Sequence, residues 1–431
     1  MRRYYCLLLS ISYLMITSSC ASVPINFALV SLDFTNEVVR INTTTNTVEA
    51  TIPTVGPAFG IAVTPDAMFA YVTLQTSNKI VRVDLATNMV DTTLPLPIGT
   101  LPNIITINPA GTQAWVVNGG SSSITIVNIA TNSISGAISL PVGGNPDQVA
   151  FTPDGQFAYV TSRLGQVVYQ INVATQMIVD TIPLSPDPVG IIITPDGKTA
   201  YVTEFMFGGH LVTPINLPSN TLGTPIPVGQ EPDLIISTPD ASTLFVTNTV
   251  GATITGPGTV SPINAATNTA GAQIVVGPHQ PSGPIGIAIT PDGSTVYVAL
   301  HDNNNAVVPI DVATLTVGAP IIVGAFPRIV ATPPFPPLAQ KPTAMVMPDQ
   351  LLNITICGIT IQWATSNNPM ITSYQIFQDG VLIGTVQSTD PLSFTTFFCS
   401  LCNTSCFPIP LFTISSVTSN GSSAQVPVVI L

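Results

Sequence analysis

One tripeptide recurs along this chain of 431 residues and limits what it can fold into. Thr-Pro-Asp stands at 64–66, 152–154, 194–196, 238–240 and 290–292, with Asn-Pro-Ala at 108–110 in the same series. Successive copies lie 44, 44, 42, 44 and 52 residues apart, and a degenerate Thr332-Pro333-Pro334 follows. Soon after each full copy comes a β-rich tetrad: AYVT at 70–73, AWVV at 114–117, AYVT at 158–161 and 200–203, LFVT at 244–247, VYVA at 296–299. FALV at 27–30 is a further such strand with no Thr-Pro-Asp before it.

Each unit reads as four short strands. An apolar run such as GIAV, QVAF or GIIIT precedes the tripeptide and is apolar on both faces, as a fully buried strand is. Pro then sets φ for a tight turn, with Asp and often Gly completing it. The YVT strand follows. A third strand ends at Asn42, Asp84, Asn128, Asn172, Asn216, Asn264 or Asp311, where an Asx side chain caps a reversal such as Ala-Thr-Asn at 86–88. The fourth carries VxxTI or a relative, as in Val48–Ile52 and Val179–Ile182. Four strands in about 44 residues, repeated, predict the blades of a β-propeller. The N-terminus supplies strands two to four of one blade and Arg328–Thr332 supplies its first strand, so seven blades close with both ends of the ring sharing one sheet.

The recurrent AYVT, the Thr-Pro-Asp-Gly turns at 152–155, 194–197 and 290–293, and the Ala-Thr-Asn segments resemble the YVTN (YncE-like) β-propeller repeat family over residues 25–337. The resemblance implies the fold. It leaves function open, because propellers host unrelated activities.

Three organisational expectations follow. Residues 1–22 read as an export signal: Arg2 and Arg3, a short apolar stretch Leu7–Ile16, then small residues. Ser18-Ser19-Cys20 also resembles the end of a bacterial lipobox, with Thr17 where an aliphatic residue is usual; Cys20 is therefore a lipidation candidate beside plain cleavage. After a proline-rich stretch ending at Pro337, residues 338–431 form a second module. Ile359–Trp363 alternates, and Tyr374–Phe377 leads through Asp379-Gly380 into Val381–Val386 as a hairpin. This segment resembles a fibronectin type III-like sandwich. Cys357, Cys399, Cys402 and Cys406 fall within it; export favours two disulfides, whose connectivity the spacing leaves open, and Cys399-x-x-Cys402 also has a zinc-like spacing.

Composition bounds the partners. Charged residues make up 7% and net charge is −12, or −14 once Arg2 and Arg3 leave with the signal. Nine Lys and Arg make a poor phosphate binder, which excludes nucleic acid and anionic lipid. Mean hydropathy is +0.50, yet aromatic residues reach only 6%, against the aromatic girdles of an outer-membrane barrel.

His210, His279 and His301 fall in different blades and read as loop residues; His301-Asp302 is also a candidate cation ligand or base. The residue five before each turn Thr sits where the chain joins the innermost strand, at the channel mouth. Those residues are Phe59, Asn103, Asp147, Val189, Asp233 and Ile285; the next position along in the last copy is Arg328. Asn103, Asp147, Asp233 and Arg328 are thus expected to converge as a ligand-binding cluster. No catalytic residue, resident metal or cofactor is assigned. The expected protein is a monomeric, secreted, periplasmic or cell-envelope binding scaffold that holds a protein, glycan or small ligand. The alternative is a lactonase-type propeller hydrolase using a metal or the acidic pair at the mouth.

Overall fold

The computed structural model describes residues 26–334, apart from 92–95, 98, 185, 206–208, 250–255, 278–282 and 303–304, and the backbone of seven strands between 350 and 427. The chain divides into two compact units, Met1–Pro334 and Phe335–Leu431. Cys20, Cys357, Cys399, Cys402, Cys406 and His279 lie outside the described residues, as does the whole segment 1–22.

The first unit is an all-β, seven-bladed propeller. Blade 4 shows the standard pattern: Pro146–Phe151 innermost, then Phe157–Ser162, Val167–Asn172 and Met177–Pro183, all antiparallel. Blade 1 is built from both ends of the propeller sequence. Pro327–Ala331 is its inner strand and pairs with Phe27–Leu32, Leu29 opposite Ala331 and Val30 opposite Val330. Glu37–Asn42 and Thr47–Pro53 complete that sheet.

In blades 5 to 7 the third strand carries Pro214, Pro262 and Pro309 at one equivalent position. Proline lacks the N–H that a ladder needs. In these blades the outer strand is correspondingly short or split, as in Thr221–Leu222 and Ile226–Pro227 of blade 5. Blades 1, 3 and 4, with Arg40, Ile126 and Gln170 there, keep seven-residue outer strands.

The second strand is the most uniformly buried in every blade, and the first strand is nearly as buried in blades 1, 5 and 7. Trp115, Tyr71, Tyr159, Tyr297 and Phe245 lie in second strands and are the largest fully enclosed side chains. Burial of the inner strand varies: four of the six residues of Pro102–Ile107 are half-buried, against one of six in Pro188–Ile193. Apolar clusters fill the clefts between adjacent blades, as with Phe27, Leu29, Val72 and Val83 between blades 1 and 2, and Trp115, Phe151 and Val160 between blades 3 and 4.

The Thr-Pro-Asp turn is a closed hydrogen-bond unit. In blade 7 the Thr290 hydroxyl donates to Asp292 Oδ1 at 2.6 Å, and Asp292 Oδ1 accepts the Ser294 amide at 3.0 Å. The Thr295 amide donates back to Thr290 Oγ1 at 3.1 Å. The Thr238 and Thr290 hydroxyls hold the Asp240 and Asp292 carboxyls below the usual range. In blade 3 the single Asn108 replaces both groups, its Oδ1 accepting the Thr112 and Gln113 amides at 2.9 and 3.0 Å.

Neighbouring blades are joined by side chains from the tetrad. The tetrad Tyr reaches an Asn with left-handed backbone in the outer turn of the next blade: Tyr71 to Asn132, Tyr159 to Asn220, Tyr201 to Asn268, and Tyr297 across the closure to Asn46, at 3.1, 3.0, 2.7 and 2.6 Å. Blade 1 has Leu29 in place of Tyr. Its neighbour Asn88 is instead bonded by Arg40 Nη1 at 3.1 Å, and the same nitrogen donates to the Leu85 carbonyl at 2.7 Å. Where Phe245 replaces Tyr in blade 6, the corresponding left-handed residue of blade 7 is Leu315.

In the second unit, Gln350–Ile356 pairs with Ile359–Thr365. A separate sheet has Val381–Gln387, Ile371–Gln378, Phe412–Thr418 and Gly421–Ser422 in that order, with Val426–Pro427 also pairing with Phe412–Thr418. The expected hairpin is present as Ile371–Gln378 and Val381–Gln387.

Candidate channel-mouth site

Two sets of loops meet at the channel mouth: those between strands two and three of a blade, and those leading to the next inner strand. The latter reverse sharply. The residue before the Pro that starts the inner strand has φ near +50° at Leu101, Asn145, Asp187, Glu231 and Phe326. Left-handed backbone there turns the chain inward, and the following Pro fixes the start of the strand.

The tetrad hydroxyl then pins the next residue. Thr73 Oγ1 donates to the Asn103 carbonyl at 2.8 Å while accepting the Gly60 amide at 2.7 Å. Thr203 holds the Asp233 carbonyl and the Gly190 amide in the same way, at 2.5 and 2.7 Å. In blade 1, Ser31 donates to the Phe59 carbonyl and accepts the Ile329 amide. Three glycines make the approach close enough. A Cβ on Gly60, Gly190 or Gly286 would lie 2.5, 2.3 or 2.2 Å from the carbonyl of Asn103, Asp233 or Arg328. These glycines seat three of the four residues expected at the mouth.

Asn103, Asp147 and Arg328 line one cavity of about 430 Å³ with Asp33, Phe34, Phe59, Gln75, Asn145 and Arg163. Asp233 is absent from its walls but couples electrostatically to Asp147, Arg328, Arg163 and His301. Phe59 contributes an aromatic face, with the Arg328 guanidinium 4.0 Å above its ring. Val189 and Ile285 do not line the cavity.

The charges are arranged unevenly. Arg328 Nη1 lies 2.9 Å from Asp33 Oδ2, which also meets His301 Nε2 at 2.9 Å. Arg163 sits 3.7 Å from Asp187 Oδ2 and over the Phe205 ring. Each arginine thus has its own rim carboxylate. Asp147 and Asp233 have no ion pair or hydrogen bond to their carboxylates among the described residues. Burial pushes the Asp147 carboxyl up, opposed by the fields of Arg163 and Arg328. Burial, then repulsion from Asp147, raises Asp233 to about 7. Both retain partial contact with channel water while being surrounded by protein at depth.

His301 is no solvated loop residue: its side chain is largely buried, paired with Asp33, and its ring lies 5.5 Å from Phe326. Asp33, Gln75 and Arg163 take the first place after strand two of their blades, eleven residues after the turn Thr for Gln75 and Arg163, on the opposite side of the turn from the five-before positions. Arg163 also carried a signal as one of only nine cations in the chain. Among the described residues no three His, Cys, Asp or Glu side chains cluster as metal ligands, and no helix is long and apolar enough to cross a membrane.

No family model and no curated protein matches the chain. Solved structures do. A chain of the Kuenenia stuttgartiensis hydrazine synthase is 21% identical with a TM-score of 0.57, covering 64% of this chain and 90% of that one. A functionally unknown protein from Desulfotomaculum acetoxidans DSM 771 is 17% identical with a TM-score of 0.59, covering 72% and 99%. A dihydro-heme d1 dehydrogenase, NirN, solved in complex with DHE, is 15% identical with a TM-score of 0.55, covering 71% and 75%. At such identities the likeness carries architecture alone, and it agrees with the β-propeller that this chain's own seven sheets form.

Proposed function

We propose that this chain is an exported, non-catalytic binding scaffold of the YVTN type, whose propeller takes its ligand at the channel mouth. The observation that carries the reading is where the repeat is broken. The turns on the opposite face are near copies of one another, whereas the mouth gathers Asp33, Asn103, Asp147, Arg163 and Arg328 from blades 1, 3 and 4 around one cavity. A rigid closed ring with a few polar groups converging in a cavity of this size suits binding. The N-terminal segment would direct export, with Cys20 as a lipidation site if the segment is of lipoprotein type. The second unit would act as a fibronectin type III-like spacer braced by disulfides among Cys357, Cys399, Cys402 and Cys406. The protein would work as a monomer in the cell envelope or outside the cell. A panel of glycans, peptides and small acids and amines tested against the full chain and its Asp147→Ala/Asp233→Ala variant checks the reading. Binding of one class, lost in the variant, supports it; no binding of any class sinks it.

A hydrolase of lactonase type remains the second reading because of one feature. A carboxyl raised to about 7 beside another carboxyl has the poise of a general acid or base. Lactone turnover by the wild type, abolished by Asp147→Ala or Asp233→Ala, would place this reading first.

A further inference from the structure

The mouth face carries large apolar side chains in five of the seven successive loops from blade 1 to blade 4. Phe34 lies in the loop of blade 1, Val55 in the link to blade 2, Leu101 in the link to blade 3, Val142 in the link to blade 4 and Leu164 in the loop of blade 4. All five are exposed, Phe34 at 70% and Val142 at 99%. Single exposed apolar residues elsewhere, such as Met89 and Met177 on outer strands, are ordinary. Here they form a crescent over blades 1 to 4, and the same loops supply Asp33, Phe34, Asn145 and Arg163 to the cavity. An apolar rim around a polar depression is the composition of a protein-binding surface.

The charge at its centre selects the partner. Arg328 and Arg163 are matched by Asp33 and Asp187. Asp147 and Asp233 share the fields of these arginines but have no direct ion pair of their own among the described residues. A further anion would find both arginines engaged, and a neutral hydroxyl would leave the two carboxylates without a direct ion partner. An incoming cation neutralises them. A free cation, however, would leave the apolar crescent bare.

We propose that the mouth face of blades 1 to 4 docks a protein loop that inserts a lysine or arginine side chain against Asp147 and Asp233 and lays flanking apolar residues on Phe34, Leu101, Val142 and Leu164. The proposal rests on the mouth being a binding site and names its partner. The polar centre fixes register, and the apolar rim excludes water around it.

Selection of a displayed library of disulfide-cyclised peptides on the full-length chain tests it. The expected winners carry one basic residue between apolar ones. They bind Asp147→Asn/Asp233→Asn at least tenfold more weakly, and lose at least tenfold again when the basic residue becomes Gln. They also weaken at least threefold on Val142→Ser/Leu164→Ser, whose substitutions lie in solvent and leave the fold intact. Winners without a basic residue, or binding unchanged by both double variants, overturn the proposal. An empty selection accompanied by glycan or small-amine binding at the mouth also overturns it, while leaving the mouth as a binding site. An empty selection with no ligand of any class removes both.

Discussion

The two faces of the propeller use the same strands differently. On the turn face, one hydrogen-bond pattern is repeated almost unchanged, and where a residue departs from it a neighbour compensates. Asn108 stands in for a Thr and an Asp, and Arg40 stands in for a missing Tyr hydroxyl. On the mouth face, the residues at equivalent positions are Phe59, Asn103, Asp147, Val189, Asp233, Ile285 and Arg328, with no common chemistry. Compensated departures mark architecture; uncompensated ones mark a site. Substitutions on the turn face should therefore lower stability without touching binding, and those at the mouth should weaken binding without lowering stability.

The largest expected effect tests the junction of the two. Gly286→Ala places a Cβ 2.2 Å from the Arg328 carbonyl and 2.7 Å from Ile329 Cα, both in the closing strand. Backbone cannot give way cheaply, so denaturant unfolding should show a loss of about 3 kcal/mol or more. Arg40→Ala removes the bonds to Leu85 and Asn88 and the packing on Phe27, and should cost about 2–3 kcal/mol. Leu29→Tyr/Arg40→Gln copies the arrangement of blade 4, where Gln170 Nε2 donates to the Tyr159 hydroxyl at 2.7 Å. It should recover most of that loss; no recovery would show that Arg40 acts by something other than the latch.

Next comes pH. Asp233 is raised from 3.8 to about 7, so the folded state pays for its ionisation above pH 7 and is relieved as the pH falls through 7 towards 4. The bound is ~4 kcal/mol, reduced by contact with channel water. Asp233→Asn should raise Tm at pH 8, with the difference from wild type shrinking to nothing near pH 4. A constant difference across that range would mean that the carboxyl is ordinary. Tyr297→Phe deletes one latch to Asn46 and should cost about 1 kcal/mol with no change at the mouth. Val142→Ser/Leu164→Ser should leave the unfolding midpoint where it was, since both side chains already face water. A drop there would mean that the crescent supports the fold and would dissolve the contrast between the faces.

Much of this was legible before any coordinates. The spacing of Thr-Pro-Asp and the phase of FALV predicted the number of blades and the shared closing sheet, because period and register are properties of the letters themselves. The letters of the latches were also visible, as AYVT and Ala-Thr-Asn. Their partnership was not, since Tyr71 meets an Asn 61 residues on, in the next blade. At the mouth, Asn103 and Asp147 lie five residues before a turn residue, and Arg328 one position further along in the last copy. Gln75, Arg163 and His301 keep an offset too, eleven residues after the turn Thr, but it becomes a mouth position only once strand two is known to run back to that face. The pairing of His301 with Asp33 spans 268 residues and had no local trace. The apolar run before the turn is a nearly fully buried strand in blades 1, 5 and 7 and a half-buried one in blade 3, where Asn103 and Thr106 interrupt it.

The ion pair between Asp33 and Arg328 joins residues 295 positions apart. Its two halves are made at opposite ends of synthesis of the ring, and loop closure over that span comes late in folding. The depression at the axis cannot exist in a nascent or nicked chain. Occupancy of that depression would therefore report that the circle is whole, and a bound partner would act as a clasp on its own receptor.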